Sequence, residues 1–315
     1  MTRSSLFSRV TQAVLLVVAI LLPLAGIGPY WTHVGAIAWY YALLAASWAL
    51  LAGFAGQFSF AHVAFAALGG YASALCVSRF GMPLPVAMLA SVVLAIVTGA
   101  LIGALVLRLS GPYLALFTLA MSEIFRMVLI AEEDFTRGML GLPVPSLFPG
   151  RSDLPYYYLG LGLVVLAVLG MNGLLATRVG LFLRAIREDE GAARASGVNT
   201  TRYKILVFII TSVIAAIAGI YYGHFIGILT PNMAILPEMG LVIAMAVIGA
   251  VVVYLLSETL RSYGEWRFVL MGLALILVQR FAQNGLFPLI EQWGRRRTGR
   301  SASGPVAAKE DSHAG

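Results

Sequence analysis

The chain contains few of the residues from which soluble enzymes build their sites. Of its 315 residues only 11% are charged, and it has one cysteine, Cys76, and four histidines. A soluble domain carries about 25% charged residues, so a soluble globular fold is excluded for most of the chain. A lone cysteine cannot form an internal disulfide, and the histidines are not spaced as metal ligands are.

Lysine is almost absent, which excludes one route to ATP hydrolysis. A Walker A loop requires a glycine directly before the lysine that reaches the phosphates, whereas Lys204 follows a tyrosine and Lys309 follows an alanine. The patterns H-E-x-x-H, C-x-x-C and G-x-S-x-G are absent as well. We therefore expect a chain that is not an enzyme, with no catalytic residue, no metal site and no cofactor of its own.

Apolar residues make up 60% of the sequence and fall into long runs. A helix of about 20 apolar residues spans a bilayer, and backbone in lipid must satisfy its own hydrogen bonds, so the runs predict membrane helices. The fold expected is an all-α bundle of about 8–10 helices over residues 1–290, followed by a disordered basic tail at 291–315. The runs lie at about 10–29, 33–54, 61–79, 84–107, 112–131, 155–175, 205–224, 237–257 and 266–285.

The net charge is +7, and the distribution of the basic residues along the chain gives the expected topology. Basic residues favour the cytoplasmic side of a membrane, so the N-terminus and the loop at 176–204 are expected inside and the acidic residues 132–134 outside. Three further crossings after that loop would place the arginine-rich tail outside. One of the last runs is therefore not a simple crossing, or a piece is absent. No basic patch alternates with aromatics, so no nucleic-acid partner is expected.

Residues 180–204 form the one long polar passage inside this apolar chain. They predict a short amphipathic helix that stands in water and meets a soluble partner, with Gly197 as its stop. Gly191 inside that helix costs about 1 kcal/mol relative to alanine, so the helix is expected to rely on the partner. Its apolar face is predicted from four residues: Phe182, Ala185, Ile186 and Ala193.

Polar residues also interrupt the apolar runs in two places. Glu123 and Arg126 are three residues apart and can pair on one helix face; charges at this depth either line a cavity or form a structural ion pair. Gln57, Ser59 and His62 stand where the second run ends. They predict either a broken or re-entrant segment that lines a cavity or a plain cytoplasmic turn.

Three blocks of sequence resemble the permease subunits of branched-chain amino-acid ABC importers, of the LivM type. They are GQFSFAHVAFAALGGYASAL at 56–75, RLSGPYLALFTLAMSEIFRMVL at 108–129 with TRGMLGLP at 136–143, and the passage at 180–204. The resemblance covers about residues 35–290. It implies a multi-pass subunit of the bacterial inner membrane that works with a second related permease, two cytoplasmic ABC ATPases that use ATP and magnesium, and a periplasmic substrate-binding protein.

The resemblance also assigns residues. The passage at 180–204 is similar to the E-A-A-x-x-x-G coupling loop of ABC importers, with Gly191 in the glutamate position. Contacts to the ATPase are implied for Arg184, Arg187, Glu188, Asp189, Ala192, Ala193 and Gly197. Polar positions that line the translocation path are implied for Gln57, Ser59, His62, Tyr113, Thr118, Glu123 and Thr136.

Three alternatives stay open from the sequence. Related permeases carry urea or short amides, so the solute is not fixed. A secondary transporter or channel would need more intramembrane ionisable residues than Glu123 and Arg126, and a membrane enzyme would need a catalytic cluster. The chain also lacks the glycine-rich segment that the family carries after a stretch like 245–249, and we expect this loss to impair transport.

Overall fold

The fold is taken from a computed structural model, which describes residues 16–25, 28–106, 111–148, 150 and 152–248. The apolar run at 266–285, the tail at 291–315 and the departure after Gly249 lie outside the described residues. Within them, five helices are long and apolar enough to cross a membrane. The predicted all-α membrane bundle is confirmed.

The described helices follow the predicted runs closely. A π-helical turn, Ala49–Phe54, extends the first of them. The helices are α1 Gly28–Trp48, α2 His62–Ser78, α3 Leu84–Val106, α4 Pro112–Ala131, α5 Glu133–Thr136, α6 Leu154–Ala176, α7 Arg178–Glu188, α8 Glu190–Ala195, α9 Thr200–Ile226 and α10 Leu236–Ile248. Two short strands, β1 Leu142–Pro143 and β2 Ile228–Leu229, pair antiparallel.

Helix α9 lies at the centre and fixes the direction of its neighbours. The Tyr222 and Tyr40 rings stack at 4.4 Å, and the Phe225 ring lies 5.0 Å from that of His33, so α1 runs antiparallel to α9. Helix α2 runs parallel to α9, because it meets residue 208 near its start and residue 224 further along. The helix directions therefore alternate as the predicted topology requires.

Glycines let α2 and α9 pack with their backbones in contact. A Cβ atom on Gly219 would lie 1.8 Å from the Ala66 carbonyl oxygen, and one on Gly69 would lie 2.4 Å from the Ala216 oxygen. Only glycine fits at such distances, which is the usual means of close approach between membrane helices. The close contact holds α2 and α9 together in the buried core.

Two stretches of backbone that is not α-helical lie inside this bundle, the second of which includes a 3-10 turn at Pro231–Ala234. The first, residues 56–61, separates α1 from α2, and the second, residues 227–235, separates α9 from α10. Irregular backbone is tolerated at membrane depth only where protein or a water-filled cavity surrounds it. That the first is a broken segment at membrane depth, and not a cytoplasmic turn, stays a prediction. The second precedes α10, whose start at Leu236 begins the run expected at 237–257.

Candidate functional site

The polar passage forms two helices rather than the single amphipathic helix that was predicted. Asp189 separates α7 from α8 in an extended conformation (φ −155°), and its carboxylate accepts a hydrogen bond from the Ala192 N–H at 3.0 Å. Asp189 is thus the N-cap of α8, a position that favours aspartate. Gly191 consequently lies in the first turn of α8 and not in a helix interior.

Gly197 ends α8 as predicted. Its φ of +85° is in the left-handed region, where glycine has no steric penalty. The Val198 N–H donates to the Ala193 carbonyl at 3.1 Å and the Gly197 N–H donates to the Arg194 carbonyl at 3.0 Å. These two bonds close the helix in the manner of a Schellman motif.

The buried face of α7 and α8 differs in part from the prediction. Ile186 and Ala193 are buried as expected, whereas Ala185 is exposed and Phe182 is half-buried beside Tyr203. Leu183 is fully buried and was missed. Its three-residue spacing from Ile186 is the signal that could have found it.

Arginine side chains attach α7 to the end of α1. The Arg187 guanidinium donates from Nη1 to the Gly53 carbonyl at 2.6 Å and from Nε and Nη2 to Glu188. The Arg184 guanidinium lies 5.9 Å from the centre of the Phe54 ring. A Cβ atom on Gly56 would lie 3.0 Å from Arg187 Cγ, so this glycine leaves room for the arginine.

An ion pair that sequence reasoning missed attaches α8 to α9. The Lys204 ammonium, only 8% exposed, donates to the Glu190 carboxylate, and Arg194 donates to the same carboxylate at 3.1 Å. Burial alone would raise the pKa of Glu190. The hydrogen bond and charge of Lys204, with smaller contributions from Thr200 and Arg194, hold that pKa below its ordinary value.

The residues for which ATPase contact was implied form one exposed group on α7 and α8. Apart from Ala193, which is buried, all of them are exposed: Arg184, Arg187, Glu188, Asp189, Ala192 and Gly197. Two of them also bond within the chain, since Arg187 reaches Gly53 and Asp189 caps α8.

The residues for which a place on the translocation path was implied fall into separate groups. Gln57, Ser59 and His62 are buried at the first interruption, and Thr118 joins them because its hydroxyl accepts from the Phe60 N–H at 3.0 Å. Tyr113 is 69% exposed. Thr136, the last residue of α5, is buried, and its hydroxyl donates to the Glu132 carbonyl at 2.9 Å. The structure does not bring Tyr113 and Thr136 together with the others.

Both interruptions meet at a cavity of about 350 Å³ beside α4. Its lining residues come from the first interruption and α2, from α4, and from the second interruption and α10: Phe60, Val63, Leu119, Ser122, Glu123, Ala234, Leu236 and Met239. Glu123 is its one charged lining residue, and it pairs with Arg126, whose Nε lies 3.1 and 3.0 Å from the two carboxylate oxygens. The predicted pairing is confirmed.

Interrupted helices around a cavity, in a bundle of apolar helices with a charged helical loop at one end, are an arrangement found in membrane transporters. The family model described as branched-chain amino acid transport system, permease component, matches residues 33–279. The chain belongs to this family.

Named relatives agree with the family match. The chain is 28% identical to the high-affinity branched-chain amino acid transport system permease protein LivM of Salmonella typhimurium, over 83% of this chain and 71% of the relative. It is 27% identical to LivM of Escherichia coli over 79% and 68% of the two chains. It is 26% identical to LivH of Salmonella typhimurium, the permease protein of the same kind of system, over 63% and 71%. No solved structure gives a significant match.

Proposed function

We propose that this chain is a permease subunit of an ABC importer and forms, with a second related permease, the path for branched-chain amino acids across the bacterial inner membrane. Partner subunits hydrolyse ATP and drive the movement, because no Walker A lysine is present here. A periplasmic substrate-binding protein delivers the solute. The family match and the transport systems to which the named relatives belong support this function.

One observation supports the coupling step in particular. The α7–α8 loop is attached at two points, through Arg187 to Gly53 at the end of α1 and through Glu190 to Lys204 in α9. Helix α1 leads into the first interruption, and helix α9 leads into the second. A force that displaces the loop therefore reaches both interrupted helices, and through them the walls of the cavity.

The position of the loop also gives the side from which an ATPase would act. The side chain of Ala192 is exposed on α8, whereas Met139 is 55% exposed at the opposite end of the bundle, between α5 and β1. If the bundle spans the membrane as proposed, these two positions face opposite compartments.

Cysteine substitutions at these two positions test the proposal. In a Cys76→Ala background, Ala192→Cys should react with an impermeant maleimide only after the inner membrane is opened, and should cross-link to the co-expressed ATPase. Met139→Cys, the control, should react from the periplasm without opening and should not cross-link. Reaction of both cysteines from one side would contradict the topology. Failure of Ala192→Cys to cross-link in an assembled complex would contradict the docking surface.

A further inference from the structure

We propose that Glu123 and Arg126 bind the two charged groups of an amino-acid zwitterion in transit, while its branched side chain occupies the adjoining cavity. The inference rests on the proposed function and assigns a solute site within this chain. The carboxylate of Glu123 receives the α-ammonium group, and the guanidinium of Arg126 receives the α-carboxylate.

The cavity has the size and lining that a small apolar side chain requires. Its volume of about 350 Å³ is at the lower end of the ~300–1,000 Å³ that small-molecule sites occupy. Its walls are apolar apart from two neighbouring residues of α4, Ser122 and Glu123. Such a pocket accepts an aliphatic side chain and orients it from one polar edge.

Glu123 lies at that edge, and Arg126, which does not itself line the cavity, is hydrogen-bonded to it. The side chain of Glu123 is 43% exposed and that of Arg126 is 17% exposed, although both belong to an apolar helix. Charges at membrane depth are costly toward lipid, so this face of α4 must meet water or protein in the assembled permease. A solute that moves along this face passes directly over the pair.

A zwitterion can open the pair without leaving a charge uncompensated. Removing one partner of a buried ion pair is costly because the other is left unpaired. An amino acid supplies both missing partners at once, since its carboxylate suits the fork of a guanidinium and its ammonium group suits a carboxylate. Binding thus replaces the Glu123–Arg126 ion pair by two ion pairs with the solute. The net gain is small, so the site is weak, and a transported solute needs a site that it can leave as well as enter.

Both interrupted helices form the walls of this site, which connects it to the transport cycle. Phe60 belongs to the first interruption and Val63 to α2, whereas Ala234 belongs to the second interruption and Met239 to α10. Any displacement of α1 or α9 by the loop changes the distance between these walls. The affinity for the solute then differs between conformations. Such a difference is required if binding of the solute is to shift the equilibrium between those conformations.

A charge swap distinguishes this role from a structural one. The double variant Glu123→Arg/Arg126→Glu keeps an ion pair at the same spacing but exchanges the charges relative to the cavity. A bound zwitterion would have to exchange the positions of its ammonium and carboxylate groups, so its side chain and its Cα atom could not both keep their places at the pocket. We expect leucine uptake by the reconstituted complex to fall about tenfold or more at unchanged assembly. Uptake at the wild-type rate would overturn the proposal.

A labelling experiment tests the site without requiring transport. In a Cys76→Ala background, millimolar leucine should slow maleimide labelling of Leu119→Cys, whereas isoamylamine and 4-methylpentanoate, which carry one charge each, should not. Leu166→Cys is the matched control, because it lines a separate, wholly apolar cavity of about 310 Å³ between α1, α6 and α9. Equal protection by the singly charged compounds, or none by leucine, would overturn the site. Protection by leucine in a complex that transports no leucine would instead contradict the proposed function.

Discussion

The two interruptions of the bundle are held in different ways. At the first, side chains bind the backbone: Trp48 Nε1 donates to the Ser59 carbonyl at 2.9 Å, and Thr118 accepts from the Phe60 N–H. At the second, backbone pairs with backbone in the β1–β2 ladder, and the Tyr71 hydroxyl donates to the Leu229 carbonyl at 3.2 Å. At both interruptions, each of these hydrogen bonds satisfies a backbone N–H or carbonyl group to which lipid offers no hydrogen-bond partner.

The interruptions also attach to opposite ends of the molecule. The first follows Gly53, where Arg187 of the loop binds. The second is joined to the segment between α5 and α6 at the other end. There β1 pairs with β2, with Leu142 opposite Leu229 and Pro143 opposite Ile228. The cavity therefore lies between a segment attached to one end of the bundle and a segment attached to the other.

The largest expected effect comes from separating the helices that join the interruptions. Gly219→Val would place a side chain against the Ala66 backbone, so α2 and α9 must move apart. Overpacking costs about 1–3 kcal/mol, and more where backbone is in the way. We expect folded protein to fall strongly in size-exclusion profiles from detergent. The control Gly173→Val on α6 meets open space and should fold normally; equal profiles would refute the close contact.

Removing one side-chain hydrogen bond from each interruption compares how the two segments are stabilised. Tyr71→Phe leaves the Leu229 carbonyl without this donor, and we expect a loss of about 1–3 kcal/mol. Thr118→Val removes one acceptor, that of the Phe60 N–H, and should cost about 1–2 kcal/mol. Hydrogen exchange should rise at 227–235 in the first variant and at 56–61 in the second. Increased exchange at both segments in each variant would show that they are not held independently.

The Glu190 and Lys204 pair predicts a pH dependence of stability. Because folding lowers the pKa of Glu190, its contribution is present above the ordinary glutamate pKa of about 4.3 and is lost as the pH falls through the lower folded value. Glu190→Gln should cost about 1 kcal/mol at pH 7, since the carboxylate is one-third exposed. The difference from wild type in thermal unfolding should shrink below about pH 4.3. A difference independent of pH would contradict the ion pair.

Arg187→Ala should have the smallest effect on stability and a clear effect on coupling. An exposed contact of this kind contributes about 0–1 kcal/mol, so membrane abundance should stay nearly unchanged. Because the variant frees the loop from Gly53 but not from α9, ATP hydrolysis should continue while uptake falls. Arg178→Ala, an exposed arginine at the start of α7, is the matched control. Loss of Arg187→Ala from the membrane would assign that arginine a structural role.

Sequence reasoning succeeded where the determinants are local. Helix lengths, the stop at Gly197 and the pair of Glu123 with Arg126 follow from periodicity and three-residue spacing. The division of the loop at Asp189 was also readable, since aspartate is a favoured N-cap, yet the continuous charged pattern suggested a single helix.

The remaining features depend on contacts between distant parts of the chain. Glu190 and Lys204 are fourteen residues apart, and only the turn between α8 and α9 brings them together. The cavity joins three segments that are far apart in sequence, so spacing alone does not predict it. A place on the path for Tyr113 and Thr136 stays a prediction from the sequence motif, because Tyr113 is 69% exposed and Thr136 bonds locally to the Glu132 carbonyl.

Leucine uptake into proteoliposomes that contain this chain with its partner permease and ATPases tests the account most directly. With the substrate-binding protein on the side opposite the α7–α8 loop, uptake should require ATP on the loop side and should stop when the ATPase is omitted. Accumulation that continues without the ATPase and follows an ion gradient would contradict the account and indicate a secondary transporter.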